Sequence, residues 1–455
     1  MDNLPILRKN SYLDILIKDN CIFANLAYTD LSENKTYILS DKTDLTPLKF
    51  RLDDIVFTKS FWFEYFNSLE EVFDWDIVDR VWKDIFKLKE FESEGVGVSG
   101  IRVVVDDNQP FFRNIYLSLK EFSKDISLRM LDDRYMEVLF NSLLEELGYS
   151  DILWVDLDIS HFSIYRARKE QEASSIFEKG SKDSFTSAKI DWSNEIGVID
   201  FVKSSKLHAF LSVDSSSDEI SDRWANFIAH NHKYIADTVI GDVLRAFTTL
   251  QLLSLKEANE DKLKAFGRGN CALFLSGNIS TLLDQRALLL SLIDGLELEG
   301  IVDIFTDEYN KVLTFGKSLL QKEESQNIVV FKRDVLPTVS KLLVPEVPQK
   351  SHNKAIFSAS LQSQEFEKQE IYGISPNLQI ISLPTKYEKV IVQGKLLNGA
   401  CFSHLTSNDI EFLSGKSKFL YKDIVIDARE RPIVYGPSVY KNRIKMKSWG
   451  YGNKK

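Results

Sequence analysis

Short apolar runs of strand length recur in the same order twice along residues 11–322, and this ordering constrains the fold more than any other feature. Leu13–Ile17, Ile22–Ala27 and Thr36–Leu39 read as a β meander. Ile101–Val105 (IRVVV) and Ser127–Leu131 follow as buried strands, with helical spacing from Pro110 and over Arg134–Leu147. The order then starts again. Ile152–Leu157, Ser163–Ala167 and Ala188–Asp191 form a second meander. Long helical periodicity follows from Asp218 to about Leu255, then strand Cys271–Ser276, helix Leu282–Leu296, strand Ile301–Phe305 and helix Asn310–Leu320. Trp62–Phe73 and Asp76–Phe91 carry apolar residues at helical spacing. Meander followed by αβαβ, twice over, predicts two similar α/β halves, although no sequence repeat accompanies it.

Glycine narrows the chemistry. None precedes Gly95 and none lies between Gly148 and Gly180. A loop that wraps a phosphate needs bare backbone, because a Cβ blocks the anion or the positive φ the loop requires. Gly95–Gly100 (GVGVSG) matches the letters of a dinucleotide fingerprint but leads into a strand instead of a helix, so it reads as a connection. The P-loop pattern GxxxxGK[ST] does not occur. His230 and His232 lie two apart on helical periodicity and point to different faces, which is unsuitable for a shared metal. His161, His208, His352 and His404 stand alone in the sequence.

Charge and cysteine usage exclude further classes. With 57 basic against 67 acidic residues the net charge is −10, unlike a protein that coats nucleic acid. Cys21, Cys271 and Cys401 form no CxxC pair, which argues against a zinc site or disulfide framework and fits a reducing compartment. The first residues lack an apolar signal core, and the most apolar stretch, Arg286–Leu298, is broken by Asp294. The expectation is a cytoplasmic protein.

Seven of the ten prolines follow residue 336, and LLVPEVPQKSHNK reads as an exposed linker near 345–353. The reading divides the chain into lobes at 1–150 and 151–340 and a small β-rich domain at 353–455, with turns at Gly394 and Gly399. Residues 438–455 carry six bases and no acid. Their alternation with Ile444, Met446 and Ser448 suits a basic edge strand, or a docking site for an acidic partner or a membrane surface.

The segment Ile152–Tyr165 (ILWVDLDISHFSIY) joins an apolar strand to acids and hydroxyls and then to a second strand. It resembles the second phosphate hairpin of actin-like ATPases, with Asp156 on the first acid; a plain hairpin with an acidic turn is the alternative. Asp158 and Ile159 stand where that pattern has glycine, and Ser163 where it has its final acid. Leu273–Asn278 (LFLSGN) resembles the adenosine-side motif of the same fold. Its continuation through Gly300, Asp307 and Gly316, with the closing IVIDARERP at Ile424–Pro432 followed by Arg443 and Trp449, resembles the glutamate mutase L family of actin-like proteins. More distantly the chain is similar to PilM-type pilus assembly proteins. Arg429 and Arg431 suit pairing with local acids.

The resemblance implies an α/β, two-lobed actin-like ATPase fold with ribonuclease H-like lobes, followed by the β-rich domain. It implies ATP and Mg as cofactors, Asp156 as catalytic acid, and Asp156 with Asp158 as magnesium ligands. Asp158, Ser160, Ser163, Ser276, Gly277 and Asn278 would contact the nucleotide. In the first half, Asp14–Asn20 (DILIKDN) has no glycine where the first phosphate loop belongs, and Leu16 and Ile159 occupy places that should be bare. The expected function is therefore a pseudo-ATPase scaffold acting on a protein client, a mutase subunit or an envelope or pilus-assembly component. The alternative is an ATP-dependent reactivating ATPase for a cobalamin-dependent mutase. Partners include no nucleic acid.

Overall fold

The computed structural model describes residues 12–18, 21–30, 35–44, 100–105, 126–158, 161–169, 184–191, 205–212, 214–229, 238–263, 266–267, 269–307, 310–315, 338–363, 368–383, 389–402, 405, 407–415, 421–429 and 438–449. The chain divides into two compact units, Met1–Glu146 with Asp307–Pro337 and Leu147–Thr306 with Thr338–Lys455.

In the first unit, β1 (Tyr12–Lys18), β2 (Cys21–Asp30) and β3 (Lys35–Asp44) form the expected meander, and β4 (Gly100–Val105) and β5 (Ile126–Met130) follow. The sheet order is β3-β2-β1-β4-β5. β1 is antiparallel to β2, while β4 runs parallel to β1 and β5 to β4. Helix α1 (Asp133–Leu147) buries Met136, Leu139, Phe140, Leu143 and Leu144, the i, i+3, i+4, i+7, i+8 stripe of an amphipathic helix.

The second unit repeats this order. Strands β6 (Asp151–Leu157), β7 (His161–Arg168) and β8 (Ser184–Asp191) form an antiparallel meander. Strand β9 (Cys271–Ser276) runs parallel to β6, and β10 (Gly300–Thr306) parallel to β9. Here the sheet continues beyond five strands. β11 (Thr338–Val344), β17 (Tyr421–Asp427) and β14 (Leu378–Ser382) extend it to eight, in the order β14-β17-β11-β10-β9-β6-β7-β8. A four-stranded sheet of β12 (Ala355–Gln362), β13 (Gln369–Ile374), β15 (Lys389–Leu396) and β16 (Asp409–Gly415) completes the strands.

The eight-stranded sheet has two chemically distinct faces, because alternate residues of a strand point to opposite sides. Leu153, Val155, Leu157, Leu273, Leu275, Val302, Ile304 and Leu342 share one core with α2 (Ser217–Ala229), α3 (Thr238–Ala258) and α4 (Ile279–Leu282) followed by α5 (Gln285–Gly295). Helices α3 and α5 approach closely at Gly295, where a Cβ would lie 2.5 Å from Leu252 Cβ. The other face holds a stack of rings across three strands: Trp154 on Phe274 at 5.3 Å and Phe274 on Phe305 at 4.5 Å.

The sequence boundary near 345–353 does not separate compact units. β14 and β17, expected in a separate domain at 353–455, hydrogen-bond into the large sheet. The proline-rich stretch is exposed only in part: Glu346, Lys350, His352, Asn353 and Lys354 are exposed, Val347 and Ser351 are buried, and Glu346 forms a two-way backbone bridge with Cys401. Proline there shapes an extended segment that packs, and the backbone bonds at Glu346 go to Cys401 of the same chain. Gly399 occupies a turn at φ +82°, whereas Gly394 lies inside β15, where a Cβ would be 2.7 Å from the Phe357 ring. The basic segment is a helix, α7 (Val439–Ser448), and not an edge strand. Asn442 and Met446 of this helix and Trp449 just beyond it are buried, and that i, i+4, i+7 spacing outweighs the period-two alternation of bases.

Helix α6 (Lys311–Phe315) packs against β1 and β2 in the first unit. Its start is fixed by Asp307, whose two carboxylate oxygens accept from Lys311 N and Val312 N at 2.8 Å. Gly300 opens β10 at φ +86°. Trp62–Phe73, Asp76–Phe91, Gly95–Ser99, the helix from Pro110, His230, His232, His404, Gly316 and Glu430–Pro432 lie outside the described residues.

Candidate functional site

The tip of the β6–β7 hairpin gathers the polar residues singled out in the sequence. Asp156 pairs across the sheet with Ser163 on β7 and Ser276 on β9, so all three side chains share the ring-bearing face. Ser276 Oγ donates to Asp156 Oδ1 at 2.7 Å and accepts from Trp154 Nε1 at 2.8 Å. His161 Nε2 lies 3.6 Å from Asp156 Oδ2. Asp158 closes the hairpin by donating its backbone N–H to His161 O at 3.0 Å. Asp156, Asp158, His161, Ser163 and Ser276 are all buried.

Gly277 fixes how closely β9 approaches this tip. Its φ is +91°, and a Cβ there would sit 2.3 Å from Leu157 O. Only glycine meets both conditions. Asn278 follows as N-cap of α4 without a side-chain cap bond; its carbonyl accepts from Thr281 N and Leu282 N. Ile159 and Ser160, the two loop residues, lie outside the described residues. The structure thus brings together Asp156, Ser163, Ser276 and Gly277, and it adds Trp154 and His161, which the sequence reading passed over. The signal for His161 was available: a hairpin closed by Asp158 and His161 puts that ring beside the acids.

The equivalent tip of the first sheet has a different composition. In β1–β2 the closing pair is Lys18 and Cys21, so Lys18 takes the place of Asp158 and Leu16 that of Asp156. Leu16 pairs with Phe23 and Val104 where Asp156 pairs with Ser163 and Ser276. Leu16, Phe23 and Val104 are all buried. The polar residues of this sheet lie one pleat deeper. Asp14 accepts two bonds from Arg102, both at 2.6 Å, and pairs with Asn25, whose buried amide has no hydrogen-bond partner among the described residues. Burial pushes the Asp14 carboxyl up to about 6 despite the Arg102 and Arg129 guanidinium groups.

Mg·ATP chemistry in an actin-like protein needs carboxylate oxygens open to a hydrated metal and backbone N–H groups open to phosphate. Among the described residues of the two hairpins, the side chains do not fit that requirement. Asp156 Oδ1 is committed to Ser276, its Oδ2 faces His161, and both Asp156 and Asp158 are withdrawn from solvent. The first sheet offers leucine, phenylalanine and valine at the matching places. Among the described residues no cluster of three or more His, Cys, Asp or Glu side chains is arranged to hold a metal.

Two other polar clusters are structural in their geometry. Arg429 is fully buried and bridges Asp427, at 2.8 and 2.9 Å, to Asp294 of α5, at 3.0 and 2.6 Å, with its guanidinium 5.3 Å from the Trp449 ring. The acid that interrupts the apolar stretch and the arginine of the closing motif are therefore partners, as expected for Arg429. Asp303 accepts from Tyr149 and Tyr421 hydroxyls at 2.6 and 3.0 Å and pairs with Lys341 at 2.5 Å. Burial, reinforced by that carboxylate, raises both tyrosines well above the usual phenol range.

A meander followed by two parallel strands, present in each unit, defines an α/β protein of the actin-like ATPase fold class. No protein-family model and no curated protein matches the sequence. Among solved structures, the chain is similar to the ethanolamine utilization protein EutJ from Carboxydothermus hydrogenoformans, at 12% identity and TM-score 0.34, covering 70% of this chain and 92% of that one. It is similar to a Bacteroides thetaiotaomicron protein with actin-like ATPase fold and unknown function, at 11% identity and TM-score 0.31, covering 67% and 96%. A ROK hexokinase from Thermus thermophilus matches at 11% identity and TM-score 0.29, covering 68% and 97%. Likeness at this level says nothing about activity. Among the described residues no helix is long and apolar enough to cross a membrane.

Proposed function

We propose that this chain is an actin-fold protein without nucleotide turnover that serves as a scaffold or assembly partner for a protein client. The observation that carries the reading is the substitution of Leu16, Phe23 and Val104 for the polar set Asp156, Ser163 and Ser276 at matching sheet positions. An actin-type site needs phosphate contacts from both hairpins, and Leu16, Phe23 and Val104 supply none, while Lys18 of the same tip is buried. In the second hairpin, hydrogen bonds within the protein occupy Asp156 and Ser276. The clients the sequence resemblance suggests are a mutase subunit or an envelope or pilus-assembly component.

A second reading, an ATP-dependent reactivating factor for a cobalamin-dependent mutase, is favoured by the retention of Asp156, Ser276 and Gly277 in one hairpin. Steady-state phosphate release from Mg·ATP separates the two. The scaffold reading expects no release above the protein-free background, and equal capture of a client with and without nucleotide. Turnover that disappears in Asp156→Asn establishes the second reading instead.

A further inference from the structure

Helix α7 presents two faces of opposite character. Inward, Asn442 Nδ2 donates to Ala209 O at 3.3 Å, Arg286 Nη2 donates to Trp449 O at 3.1 Å, and Met446 is fully buried. Arg443 is paired with Asp214. These contacts lay the helix along the second unit. Outward, Tyr440 is 72% exposed and Ile444 52%, the two most exposed large apolar side chains among the described residues. They stand one helical turn apart, and each is followed by an exposed lysine, Lys441 and Lys445. Lys445 also leans over the Trp449 ring at 5.1 Å. This face belongs to an eighteen-residue stretch, 438–455, with six bases and no acid, in a chain of net charge −10.

We propose that the Tyr440–Lys441–Ile444–Lys445 face docks the protein on an anionic lipid surface. An interfacial helix places aromatic and aliphatic side chains at the headgroup boundary and lysines among the headgroups, and these four residues supply that pairing. Each base near an anionic leaflet strengthens binding about fivefold. The acidic remainder of the protein does not cancel this attraction, since screening at physiological salt confines it to about 8 Å. An acidic protein would need a matching apolar pocket for Tyr440 and Ile444, whereas a bilayer interface takes both side chains beside the lysines without one, so the apolar pair favours lipid. The helix is already held in place, which removes the ordering cost that a free basic tail would incur on binding.

Vesicle flotation tests this with the whole chain. The protein should float with vesicles of phosphatidylcholine plus phosphatidylserine and not with phosphatidylcholine alone, and added salt should weaken the association. Lys441→Ala with Lys445→Ala should weaken it about 30-fold. Tyr440→Ser with Ile444→Ser should also weaken it, with the charge unchanged. All four positions are exposed, and unaltered thermal unfolding of both variants verifies that the fold is kept. Failure to float with the anionic vesicles overturns the proposal. So does flotation that the apolar double variant leaves unchanged, since charge alone then accounts for the attraction and the Tyr440–Ile444 face plays no part.

Discussion

The two sheets share one topology and carry inverted chemistry. In each, three antiparallel strands precede two parallel ones, and the first hairpin turns in two residues. At the tip of the second sheet Asp156, Ser163 and Ser276 lie side by side; at the tip of the first, Leu16, Phe23 and Val104 do. One pleat deeper the pattern reverses. The first sheet has Asn25, Asp14 and Arg102 where the second has Tyr165, Trp154 and Phe274. A topology set by alternating apolar runs tolerates this exchange, because each face needs only to be filled and its polar atoms mostly paired. Chemistry at a hairpin tip is therefore independent of the fold that carries it.

Four changes probe this contrast. The largest effect belongs to Gly277→Val, which puts a side chain 2.3 Å from Leu157 O at a φ of +91°. It should remove more than about 4 kcal/mol of stability and leave the hairpin open to protease. Leu16→Asp gives the first tip the acid of the second. Between Phe23 and Val104 an unpaired carboxylate should lower stability by about 3–5 kcal/mol, read from the urea midpoint; an unchanged midpoint would show that this tip is polar after all. Ser276→Ala leaves Trp154 Nε1 and Asp156 Oδ1 without their shared partner and should cost about 1–3 kcal/mol in thermal unfolding.

The subtlest signature is a pH dependence that arises in the first sheet. The Asp14 carboxyl is raised from 3.8 to about 6, so the folded state takes up its proton more readily than the unfolded one. Its stabilising contribution is complete below 3.8 and is lost as pH rises through about 6. The stability of the wild type relative to Asp14→Asn should fall over that interval. A difference independent of pH would mean that Arg102 compensates the burial fully.

Much of this architecture was legible in the sequence because strands announce themselves locally. Cys271–Ser276 and the two meanders follow directly from apolar runs. The extension of the second sheet by β11, β17 and β14 was not legible, since pairing between residues far apart leaves no local signal. Proline composition suggested a boundary where packing supplies continuity. Alternating bases suggested a strand at α7, but the buried Asn442, Met446 and Trp449 carry the helical period. At the site, Asp156, Ser276 and Gly277 were visible as letters at the ends of strands. The bond from Ser276 that occupies Asp156 was not, because it joins residues 120 positions apart.

Calorimetric titration of the whole chain with Mg·ATP, repeated on Asp156→Asn, decides whether the second hairpin holds nucleotide. Leu16, Phe23 and Val104 in the first hairpin and the internally bonded Asp156 and Ser276 in the second predict no measurable heat of binding in either protein. Micromolar binding by the wild type that the mutant loses would contradict the account and make Asp156 a working ligand of the nucleotide site.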